Sequence, residues 1–145
     1  MTLGVEIKDD DSDRRARVTQ YGQLVTAPLA FSNPVAKSLN VINTAFNFVE
    51  PQPGQSIIIT DILTSADKNV SATDPANVII YESDGIASLT NLRTLVQPQL
   101  IKSGNYLAIG LNLIVGEGRW INARTDDNNI LLTILYYYVP APRSI

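Results

Sequence analysis

From Gln23 onward the chain is a succession of short apolar runs separated by turn residues, a spacing that predicts paired β-strands. The runs fall at 24–31 (LVTAPLAF), 38–42, 44–49 (TAFNFV), 56–63 (SIIITDIL), 77–81 (NVIIY), 94–101 (TLVQPQLI), 105–115 (NYLAIGLNLIV), 120–125 and 130–139. Pro28 and Pro98 mark two of them as edge or interrupted strands, because proline cannot donate a ladder hydrogen bond. Pro51-Gln52-Pro53-Gly54 supplies a strong turn, and at most one helical turn is expected, within 86–92. The expected fold is all-β, a single antiparallel sandwich of about eight strands.

Two runs carry more information than the others. In 105–115, Leu107, Ile109, Leu111, Leu113 and Val115 alternate with Ala108, Gly110 and Asn112. That pattern predicts one buried face and one small, flat face. The last run is apolar on both sides: Ile130, Leu132, Ile134, Tyr136 and Tyr138 line one, while Leu131, Leu135, Tyr137 and Val139 dominate the other. A strand of this kind needs cover on both faces. Each large apolar side chain withdrawn from water contributes about 1.5–3 kcal/mol, so a bare row would be costly. Cover could come from the chain's own N-terminal arm or from a neighbouring subunit. With no helices to spare, the simpler expectation is a subunit interface at Leu135, Tyr136, Tyr137 and Tyr138.

Residues 1–22 differ from the rest and are expected to form an extended arm, with residues 23–145 as the sandwich domain. The arm holds KDDDSDRRARV, in which Asp9, Asp10, Asp11 and Asp13 are followed by Arg14, Arg15 and Arg17. Asp9, Asp11 and Asp13 match the first three positions of a calcium loop. Arg14 then stands where the loop needs glycine, and Gln20 where it needs glutamate. The EF-hand pattern fails, and a solvated acidic turn paired with the arginines is the simpler reading. Exposed pairs contribute little, and such a segment orders on a partner.

Composition narrows the chemistry. The chain has 145 residues, 45% of them hydrophobic and 17% charged, as in one folded domain. A net charge of -3 argues against nucleic acid as partner. No apolar run is long enough to span a membrane, and the polar N-terminus does not resemble a secretory signal. Cysteine and histidine are both absent, which removes thiol and histidine catalysis and the usual transition-metal ligands. Glu50, Asp61, Glu82, Asp84 and Glu117 remain as carboxylates within the strand region, most of them at strand ends where solvated loops are expected. No enzyme, cofactor or metal site is expected.

Two smaller clusters have competing explanations. Asp126-Asp127-Asn128-Asn129 offers oxygen ligands, but Asp and Asn also favour tight turns, and a hairpin explains them better. Gly116-Glu117-Gly118-Arg119 lacks the spacing of a phosphate loop and reads as another turn. Trp120, the one tryptophan, could stack on a sugar ring beside Asp126 and Asn128, or anchor the core.

In order along the chain, VTQYGQLVTAPLAFSNP, NTAFNFVEPQPGQSIIITDIL, ANVIIYESD and GLNLIVGEGRWINARTDDNNILLTILYYYV resemble the small β-sandwich virion proteins of tailed bacteriophages. The segments 51–62 and 120–127 carry most of the likeness, which spans nearly the whole chain. The resemblance implies a jelly-roll-like sandwich that trimerises on a capsid lattice as a decoration, or cement, protein. Its partner would be the major capsid protein or another virion protein, and it would be assembled in the host bacterial cytoplasm. Asp9, Asp10, Asp11, Asp13, Arg14, Arg15 and Arg17 would then make the capsid contact. Fibre-associated relatives imply the alternative, a glycan- or receptor-binding module using Trp120, Asp126 and Asn128.

Overall fold

The computed structural model describes residues 33–141, together with the backbone of Lys8–Asp9 and Ser12–Arg15. Two compact units result, Met1–Phe31 and Ser32–Ile145. In the first, β1 (Lys8–Asp9) and β2 (Ser12–Arg15) form an antiparallel pair with Lys8 opposite Arg15 and Asp9 opposite Ser12. The charged stretch therefore holds a short β-ladder within the arm. Asp10, Asp11, Arg17 and the strand expected at 24–31 lie outside the described residues, as does the arm boundary expected after residue 22.

The second unit consists of β3 (Asn33–Leu39), β4 (Phe46–Val49), β5 (Gln55–Ala66), β6 (Ala76–Ser83), β7 (Arg93–Val96), β8 (Gln99–Leu100), β9 (Asn105–Ile114), β10 (Trp120–Thr125) and β11 (Ile130–Pro140). Among the described residues there is no helix. One sheet runs β3-β11-β5-β9, and the other runs β4-β10-β6-β7, with β8 also on β6. All pairings are antiparallel. Late strands are interleaved with early ones: β11 lies between β3 and β5, and β10 between β4 and β6. With β7 and β8 counted as one interrupted strand, this is the double Greek key of a jelly roll.

Between the sheets lies one apolar core, in which Leu39, Ile59, Ile62, Val78, Ile80, Ile121, Leu132 and Ile134 are fully buried. β11 supplies Ile130, Leu132 and Ile134 by simple alternation. β5 does not alternate so simply. Ile57, Ile59 and Ile62 all reach the core because the register against β11 shifts at Thr60, where two residues of β5 oppose one step of β11. Such a bulge exchanges the faces of the strand beyond it. The Thr60 hydroxyl donates to the Leu135 carbonyl across the shift at 3.2 Å.

β9 reverses at the same level, and this corrects the expected single apolar face. Tyr106 packs on the core, whereas Leu107 and Ile109 are exposed. Beyond Gly110, Leu111, Leu113 and Val115 turn inward. Gly110 (φ 67°) and Asn112 (φ 46°) adopt the left-handed conformation that carries the reversal, and Asp61 Oδ1 accepts the Gly110 N–H at 3.1 Å. Two further expectations shift. The run 38–42 ends as a strand at Leu39, leaving Val41 and Ile42 exposed in a turn, and β3 begins earlier, through Pro34, as an edge strand allows. At 86–92 no helix forms, only a single turn in which the Ser88 N–H donates to the Gly85 carbonyl at 3.3 Å.

Candidate interaction surfaces

The outer face of the β4-β10-β6-β7 sheet is covered by the chain's own loop 84–92. Asn122 lies between the core residues Ile121 and Ala123 and therefore points outward, with Tyr81 directly opposite. Both side chains are fully buried beneath the loop. Asn122 Nδ2 donates to the carbonyls of Gly85 (3.0 Å) and Ser88 (3.2 Å), and the Tyr81 hydroxyl donates to the Ser88 carbonyl at 2.7 Å. Burial pushes the Tyr81 phenol up, against a smaller lowering by Arg124. Held from beneath by these bonds, the loop exposes Ile86, Leu89 and Leu92.

Among the described residues, no such loop covers the corresponding face of the other sheet. Cross-strand register places Leu107, Leu63 and Thr133 in one outward row, and Ile109, Asp61 and Leu135 in the next. A third row joins Ile114, Ile58 and Tyr137, and Leu131 stands beside Ser65. A groove of about 370 Å³ runs between Leu63, Leu107, Leu131 and Thr133.

The three tyrosines expected at an interface are divided by strand alternation. Tyr136 and Tyr138 lie on the core side, half-buried, with their rings edge to face at 5.6 Å between centroids. The Tyr138 hydroxyl donates to the Glu50 carbonyl at 2.8 Å, and burial pushes its phenol up, with Tyr136 and Glu50 acting in the same direction. Leu135 and Tyr137 face outward with the exposed leucines.

Trp120, Asp126 and Asn128 do not form one platform. Trp120 starts β10 opposite Ser83, and Asp126 follows the other end of that strand. At about 3.3 Å per strand residue, the two positions are roughly 20 Å apart. Asp126 Oδ1 accepts the Asn77 N–H at 2.7 Å, and Asp127 Oδ1 accepts the Asn129 N–H at 3.0 Å, so both carboxylates brace turns. Asn128 instead borders a cleft of about 470 Å³ with Ser38, Ser65, Asp67 and Asn129.

Of the strand-region carboxylates, Glu82 and Asp84, like Asp61, are engaged in structure. Glu82 is buried and pairs with Arg93 while accepting the Gly116 N–H at 3.1 Å. Asp84 accepts the Ser88 hydroxyl at 3.0 Å. Among the described residues no three acidic side chains gather as a metal site, and no helix is long and apolar enough to cross a membrane.

The exposure of Leu107 and Ile109 on β9 was hidden in the sequence by an apparently regular alternation, although an isolated glycine inside a strand was the available sign of a bulge. Comparison of the chain with protein-family models and with curated proteins gives no match.

Proposed function

We propose that this chain is a non-enzymatic structural protein of a virion, a decoration protein that strengthens a phage head by binding many capsid subunits. The observation that carries the reading is the jelly-roll strand order, an architecture used by viral capsid domains, joined to a separate N-terminal unit of mixed charge. A fold of this kind supports the class by analogy, and the likeness of segments 51–62 and 120–127 to phage virion proteins narrows it. In this reading Asp9, Asp10, Asp11, Asp13, Arg14, Arg15 and Arg17 meet the capsid. Copies joined in an oligomer present several arms together, so modest single contacts become firm through effective concentration.

The test is co-sedimentation of the purified protein with undecorated heads. Full-length protein should pellet with heads, and Arg14→Glu, Arg15→Glu, Arg17→Glu should lower occupancy at least about tenfold at fixed concentration. Undiminished binding by that variant would remove the arm from the contact. A second reading, glycan recognition on a tail fibre, draws on the polar cleft beside Asn128 and on the lectin domains that share this architecture. Copy number separates the two: hundreds per particle for decoration, a few per tail for a receptor binder.

A further inference from the structure

We propose that the outer face of the β3-β11-β5-β9 sheet docks a second copy of this chain, sheet face against sheet face. The inference is independent of the capsid reading.

The unit treats its two outer faces differently. One is roofed by loop 84–92, to which the Tyr81 hydroxyl and Asn122 Nδ2 donate from beneath. The other leaves Leu63 39%, Leu107 56%, Ile109 69%, Ile114 61% and Leu131 46% exposed, contiguous through the cross-strand rows. These five side chains expose on the order of 500 Å² of apolar surface, near the top of the ~300–600 Å² range for the largest patch on a monomer. Tyr137 and Leu135 extend the patch along β11.

Area and charge both favour a second copy. Two such faces pressed together remove about 1,000 Å² from their apolar side chains alone, the threshold for a specific interface, before any polar rim is counted. Asp61 is the only charged side chain in these outward rows among the described residues, and its carboxylate already accepts the Gly110 N–H. Apart from that one carboxylate per copy, the described rows carry no charge for their own image to repel. Stacked sheets pack about 10 Å apart, so the exposed rows would interdigitate as the inner faces do. A face that meets itself is isologous and closes at two subunits. The trimer implied by resemblance would require this face to meet a different surface.

Sedimentation velocity of the full chain over a wide concentration range should give twice the chain mass. Leu107→Glu with Ile109→Glu places four carboxylates in the closed interface and should weaken the dimer about a hundredfold or more. Ile86→Glu, on the roofing loop, should leave it unchanged. Because the chain has no cysteine, Leu63→Cys and Ile86→Cys each give a single thiol for a short bis-maleimide. Cross-linked dimer is expected from Leu63→Cys and not from Ile86→Cys. If the glutamate pair fails to fold, the cross-link decides. A monomer at every concentration overturns the inference, and is the result expected if residues 1–32 cover the face of their own chain. Three times the chain mass, an undiminished glutamate-pair dimer, or equal cross-linking at both cysteines also overturns it.

Discussion

Lys37 and Arg93 tie the two sheets together at opposite open sides of the sandwich. Lys37 Nζ donates from β3 to the Asn47 carbonyl of β4, and its ammonium lies 5.5 Å from the Phe48 ring centroid. Arg93 Nη2 donates from β7 to the Ile114 carbonyl of β9 at 2.6 Å and pairs with Glu82. Each cation thus spans a gap that no backbone ladder can cross.

The two ties should differ in strength. Arg93→Ala takes the cation from the buried Glu82 carboxylate, which keeps the Gly116 N–H, and a donor from the exposed Ile114 carbonyl. Because the Arg93 side chain is half exposed, the cost should be about 2 kcal/mol, below the full penalty for breaking a buried pair. Lys37→Ala removes an exposed contact and should cost less than about 1 kcal/mol. Urea unfolding of both variants measures the difference, and equal losses would show that Glu82 gains little from its partner.

Asn122 should set the order of the roofing loop. Replacing it with alanine leaves the Gly85 carbonyl without this donor, while Ser88 keeps only the Tyr81 hydroxyl of the two described above. Because the Gly85 carbonyl keeps the Ser83 hydroxyl and the Ser88 N–H as donors, the expected loss is about 1 kcal/mol, with faster amide exchange at 84–92 than elsewhere. Exchange that rises evenly across the unit would instead mean that Asn122 supports the whole sheet.

Alkali should weaken the fold through two phenols, the buried Tyr81 and the half-buried Tyr138. Tyr81 and Tyr138 both titrate above 10.0, chiefly because burial disfavours the phenolate, and each donates its hydroxyl proton to a carbonyl. The native state therefore holds these protons more tightly than the unfolded chain. Their contribution is complete below about pH 10 and is lost as pH rises through the raised values. Unfolding midpoints across that window should fall less steeply for Tyr138→Phe than for the parent. Identical slopes would remove Tyr138 from the account.

Alternation was enough to read the all-β class and the late strand apolar on both sides. The Asp and Asn residues at 126–129 do make a turn, but it carries the chain from one sheet to the other instead of closing the expected hairpin. Where alternation is broken from within, the sequence misleads. The bulge at Thr60 and the left-handed residues around Gly110 depend on neighbouring strands whose register no local pattern records. The expected interface groups Tyr136, Tyr137 and Tyr138 together, although the alternation read from the sequence already sets Tyr137 on the face opposite the other two. Trp120 and Asp126 were set apart by the same arithmetic, since six strand residues outrun any single sugar. Roofing by loop 84–92 could not be read at all, because it rests on a buried asparagine meeting two carbonyls from a segment that resembled a helical turn.

The reversal at Gly110 separates what a residue is from where it goes. Leucines and isoleucines of equal hydrophobicity occur on both sides of it, yet Leu107 and Ile109 face water while Leu111 and Leu113 fill the core. Exchanging one aliphatic residue for another along β9 leaves that assignment untouched. Straightening the backbone there would not: a one-residue change of phase sends every following side chain to the other face. The destination of half a strand is thus held by two left-handed residues, Gly110 and Asn112, and the aspartate that accepts the Gly110 N–H.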